Sequence, residues 1–149
     1  MQGVPEVVLR SEQTNAEIGM IRHTVPAGFK GPPLHRHDFD ETFYVLGGQL
    51  TVQLGEDLVR VETGELAFAP RGFPHTFTNL AEEPARYLIV FTPAGFERHF
   101  ARMAAEREGV DPPGWALGPI PEVTVLGGPI DRARAGEAQP TGPREIARS

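Results

Sequence analysis

The chain has 149 residues, a net charge of −6 and no cysteine. This is one domain's worth of chain, and it excludes disulfides, thiolate metal sites and a cysteine nucleophile. An acidic balance speaks against nucleic acid or an anionic membrane as partner, because both attract clustered Lys and Arg. No apolar run exceeds Tyr87 to Phe91, far short of the about 20 residues that span a bilayer. The first residues, Met1 to Glu6, lack the basic and apolar regions of a signal peptide, so the expected location is the cytoplasm.

In chain order, short strands are predicted at Val4–Arg10, Glu17–Val25, Glu41–Leu46, Gln49–Leu54, Leu58–Glu62, Glu65–Ala69, His75–Asn79 and Arg86–Phe91, with hairpin turns at Gly47-Gly48 and Gly55-Glu56-Asp57. Short strands at this spacing suggest an antiparallel barrel or sandwich. One helix is expected over 93–108, capped by Thr92, started by Pro93 and stopped by Gly109. Phe96, Phe100, Met103 and Ala104 recur at helical spacing and read as its packed face, with His99 off that stripe as a surface histidine. Thirteen of the glycines and prolines fall in residues 110–149. The body is therefore expected to be 1–109, followed by a Pro/Gly-rich extension, partly docked or disordered. Within that extension, Val123–Leu126 has strand composition and could dock on the body or on a neighbouring subunit. From about Asp131 onward the chain reads as solvated.

Three of the five histidines sit in two compact stretches. The first runs Gly31-Pro-Pro-Leu-His35-Arg-His37-Asp-Phe-Asp-Glu41 and on to Gly47-Gly48. Strand alternation sends His35 and His37 to one face, and Glu41 shares parity with Phe43 and Val45. The second runs Gly64 to Asn79, with a turn at Pro70 and Gly72 and with His75, Phe77 and Asn79 on one face. His23, alone on an early strand, reads as a surface or supporting residue. Arg71 lies in the turn before His75, where it is either solvated or a clamp for a carboxylate.

These stretches resemble the two motifs of the cupin superfamily, and the chain is similar to small single-domain bacterial cupins of the quercetin-dioxygenase-like group. His35, His37, Glu41 and Gly48 fall at the first motif's positions. Gly64, Pro70, Gly72, His75 and Asn79 fill every position of the second. One departure exists: the leading glycine of the first motif would fall at Phe29, and here Gly28 and Gly31 flank it. The resemblance implies an all-β jelly-roll barrel with one C-terminal helix and one divalent transition metal (Fe, Mn, Co, Ni, Cu or Zn) held by His35, His37, Glu41 and His75. Three imidazoles and a carboxylate inside an apolar barrel are costly unless paired or coordinated, which agrees with that expectation. Four donors leave two adjacent octahedral positions for substrate or dioxygen. Glu41 is also the expected catalytic base, and Phe43 and Phe77 either line a substrate pocket or pack the barrel. The expected activity is that of a metal-dependent, dioxygenase-like oxidoreductase on a small aromatic or enolisable substrate. Alternatives are an isomerase or lyase using the same site without oxygen, or a small-molecule binding module. A homodimer is expected from the family.

Overall fold

The computed structural model describes residues 4–141. Apolar alternation shapes the two sheets. One has the order β1 (Glu6–Leu9), β2 (Gly19–Val25), β9 (Ala85–Thr92), β4 (Asp40–Gly47), β7 (Leu66–Ala69). The other has the order β10 (Val123–Val125), β3 (His35–His37), β8 (His75–Thr78), β5 (Gln49–Leu54), β6 (Asp57–Glu62), β11 (Gln139–Pro140). All pairings are antiparallel except β11 on β6.

In β4 and β9 every second residue is buried, so Glu41, Phe43 and Val45 face inward beside Phe91, Ile89 and Tyr87, their register partners. The inner faces of the two sheets meet in one core that includes Phe43, Val45, Leu50, Val52, Val61 and Phe91, all with no exposed surface. Burial of each such side chain contributes about 1.5–3 kcal/mol, which fixes the strand register that the site depends on.

The helix α1 spans Glu97–Glu108, later than the expected 93–108. Thr92 does not cap it: it ends β9 opposite Asp40, and Pro93 follows across a cis peptide. The helix is started by its own Glu97, a fully buried carboxylate that accepts from the backbone N–H groups of Gly95 (2.7 Å) and Ser11 (2.7 Å). Gly109 closes it in the left-handed conformation at φ 70°, as expected. Its buried residues are Glu97, Ala101 and Ala105; Phe96 and Phe100 pack against the core as expected, whereas Met103 is 38% exposed.

The extension is docked over 110–141. Arg98 and Arg102 hold it through the carbonyls of Trp115, Ala116, Gly118 and Pro119. Val123–Val125 joins the body as β10, paired with β3. Beyond Asp131, where a solvated chain is expected, Arg134 reaches the carbonyl of Glu56 (2.8 Å) and Gln139 and Pro140 pair with β6. Residues 142–149 of that stretch lie outside the described residues. Among the described residues, no helix is long and apolar enough to cross a membrane.

Candidate metal centre

His35 and His37 emerge on one face of the three-residue strand β3, and the turn at Asp38-Phe39 brings Glu41 back onto β4. His75 opens β8 directly opposite His35. One donor atom from each of His35, His37, Glu41 and His75 lies within 4.8 Å of all the others. The turn that delivers His75 is latched to the first stretch. The Arg71 guanidinium and backbone N–H both donate to Asp40, at 3.1, 3.2 and 2.8 Å, and Gly72 N–H donates to the His37 carbonyl at 2.7 Å. Arg71 is thus a clamp for a carboxylate of its own chain.

The close approach that fixes a glycine in the first stretch falls at Gly31. Its φ is +82°, and an added Cβ would run into the carbonyl of Phe77. Gly31 therefore meets the need for a glycine two residues beyond Phe29, which itself packs beside Phe77 at a ring separation of 5.9 Å.

Hydrogen bonds set the tautomers of all three ligand histidines. The Nδ1 atoms of His35, His37 and His75 lie 2.7, 3.0 and 2.9 Å from the carbonyls of Pro33, Phe39 and Phe73. A carbonyl only accepts, so each Nδ1 carries the proton and each Nε2 is left as the donor atom for an electrophile. Yet Oε1 of Glu41 sits 2.8 Å from Nε2 of His37 and 3.1 Å from Nε2 of His75. Lone pairs do not face one another at such distances without positive charge between them. Either protons or a metal ion satisfies that need, and three nitrogens with one oxygen suit a divalent transition metal. The residues fit the implied ion.

Burial works against the Glu41 carboxylate, but where protons fill that need, hydrogen bonds from Nε2 of His37 and His75 outweigh it and hold its pKa at about 2. Burial also opposes the charged form of His75, and the contact with Glu41 more than reverses this, raising its pKa. For His35, burial prevails and the pKa is lowered.

Beside the cluster lies a cavity of about 750 Å³ whose lining is mostly apolar and into which His35 and Glu41 face. Phe77 lines it, whereas Phe43 is wholly buried in the core and is not part of its wall. Two histidines given no role in the sequence also line it. His23 bonds to the Tyr87 hydroxyl (2.8 Å), and its alternation with Ile21 and Val25 was the signal for an inward position. His99 is half-buried rather than a surface residue, stacked on Phe96 with ring centres 5.0 Å apart. Burial, helped by the neighbouring Arg102 charge, lowers its pKa. The extension supplies Ile120, Pro121, Val123 and Val125 to the same wall.

Residues 21–91 match the family described as Cupin domain. An uncharacterized protein of Streptomyces coelicolor, SCO3923, is 32% identical over 57 residues, covering 38% of this chain and 53% of that protein. The tetracenomycin polyketide synthase protein TcmJ of Streptomyces glaucescens is 29% identical over 92 residues, 61% of this chain and 62% of TcmJ. The matches thus span less than two thirds of each curated relative. Among solved structures, TT1209 from Thermus thermophilus superposes with a TM-score of 0.53 at 29% identity, covering 60% of this chain and 81% of that one. Two facing sheets of short strands, both histidine-bearing stretches on those strands, and the match to the Cupin domain over residues 21–91 support a small protein of the cupin superfamily.

Proposed function

We propose that this protein is a metal-dependent oxidoreductase of dioxygenase-like type, acting on a small aromatic or enolisable molecule in the cavity. The observation that supports the reading is the meeting of four donor residues with the wall of an apolar cavity. A divalent transition metal bound there supplies Lewis-acid polarisation of a substrate oxygen and, when redox-active, electron transfer to dioxygen. His37 and His75 hold the back of the site, with side chains only 1% exposed, while His35 and Glu41 face the cavity. Among the described residues, Glu41 is the one carboxylate in that wall. Its position beside the donor cluster suits it to take the proton of a substrate hydroxyl or activated carbon. Apolar neighbours such as Ile21, Ile89 and Phe77 keep the local dielectric low and strengthen that interaction.

The test is oxygen uptake by metal-reconstituted protein across flavonols, catechols and β-diketones, with Glu41→Gln alongside. Uptake with a redox-active metal that falls at least 100-fold in Glu41→Gln is expected. Background uptake with every metal and every substrate overturns the oxidative reading.

One observation favours a second reading. TcmJ is named as a polyketide synthase protein, and polyketide chains are enolisable. Proton removal by Glu41 gives an enolate; reprotonation at a different carbon isomerises it, and attack on a second carbonyl of the same chain, which takes up the proton, cyclises it, with no oxygen consumed. Turnover that persists under strictly anaerobic conditions selects this reading over the first.

A further inference from the structure

We infer that His23 and Tyr87 form a second polar anchor of the cavity, which binds the far end of an elongated, largely apolar substrate through a hydroxyl or keto oxygen. The inference rests on the reading that the head of the substrate lies beside His35 and Glu41.

Strand register places the two ends. On the inner face of the first sheet, Glu41 stands opposite Phe91, Ile89 stands opposite both Phe43 and Ile21, and Tyr87 stands opposite both Val45 and His23. Ile21 and Ile89 line the cavity between the Glu41 rung and the His23–Tyr87 rung, so the space is continuous from one to the other. Tyr87 and the residue opposite Glu41 are four apart along β9, which is roughly 13 Å at the rise of a β-strand. Side chains reach inward from both rungs. The spacing of the rungs leads us to a fused bicyclic core rather than a single ring. The about 750 Å³ of the cavity agrees, being within the range that encloses such molecules.

The chemistry of the pair supports an anchor. A phenol offers one O–H and two lone pairs, and the bond to His23 Nδ1 occupies only one of these. The tautomer of His23 then decides whether Tyr87 presents a lone pair or its proton to a further partner. Burial, with the Glu41 charge adding to it, raises the pKa of the Tyr87 phenol, which keeps it a neutral hydroxyl. Aromatic rings frame the pair: Phe77 lies 5.4 Å from the Tyr87 ring and Phe29 lies 6.4 Å from His23. These are surfaces against which a planar ligand packs. A purely structural pair would affect folding and leave ligand preference alone, and that difference is measurable.

The probes are 2-naphthoylacetone and its 6-hydroxy derivative, a chelating diketone with and without a hydroxyl at the far end. Their dissociation constants are measured on nickel-loaded protein by titration calorimetry. In wild type the added hydroxyl is expected to tighten binding about tenfold, the worth of one well-made hydrogen bond. In Tyr87→Phe and in His23→Leu, each verified by thermal melting, the gain falls below twofold. A hydroxyl that brings no gain in wild type, or a gain that survives in both variants, overturns the anchor. The same comparison with 2-naphthol and naphthalene on metal-stripped protein separates the two readings. If naphthol is favoured there, and by Tyr87, while diketone binding ignores nickel, then the anchor stands and the metal reading falls.

Discussion

At the scale of single residues, the three histidines of the cluster have their Nδ1 protons committed to the carbonyls of Pro33, Phe39 and Phe73. Each ring is therefore aimed before any ion arrives, and loss of one ring cannot be made good by rotation of another. His75→Ala is expected to abolish near-stoichiometric metal in elemental analysis of protein grown on mixed metals, while circular dichroism stays that of the folded protein. Glu97 carries a different kind of weight. Its carboxylate satisfies two buried N–H groups, so Glu97→Ala strands both and is expected to cost about 2–4 kcal/mol in urea unfolding. The four donors were legible in the sequence because they fall at the positions of the two cupin motifs that the chain resembles. His99 was not, and the parity that His23 shares with Ile21 and Val25 speaks for an inward side chain without saying what it faces. Only the packing of Phe29, Phe96 and Tyr87 around them gives them an address.

At the scale of elements, β3 and β8 hold the three histidines and β4 holds Glu41, and the Asp40–Arg71 clasp keeps the turn between Pro70 and His75 against β4. Removing that clasp leaves every ligand present but less well aimed. Arg71→Ala is expected to weaken metal binding about tenfold, the lower end of what outer-shell changes do, read by competition with a chelator. Gly31→Ala tests the other close approach. A Cβ there meets the Phe77 carbonyl and sits at positive φ, so a loss of about 3 kcal/mol in stability is expected from urea unfolding. The strands of the body were legible to within two residues at most ends, because alternating burial leaves one workable register. The start of the helix was not. Thr92 and Pro93 have the chemistry of a helix start, but the pairing of Thr92 with Asp40 extends β9 through that position and delays the helix to Glu97. Local preference yields there to a cross-strand partner far away in sequence.

At the scale of the whole molecule, the centre joins both sheets: Glu41 comes from one, and His35, His37 and His75 from the other. An ion bound across that junction stabilises the folded state without stabilising the unfolded chain. At a free metal concentration 1,000 times the dissociation constant the gain is about 4 kcal/mol. A rise in Tm of about 10 °C is expected by scanning calorimetry, reversed by EDTA. The docking of residues 110–141 was the least legible feature at this scale. Their Gly and Pro content argues only against regular structure, whereas arginines on the helix and the open edge of β3 decide that the segment is held.

That segment lies outside residues 21–91, yet Ile120, Pro121, Val123 and Val125 form part of the cavity wall. Part of the cavity wall is therefore written apart from the four donors in the gene. Drift or recombination confined to the codons for 119–126 can reshape which molecule is admitted while every metal ligand is left untouched. The same division gives the protein engineer a short cassette in which to vary the cavity wall while all four donor residues are kept.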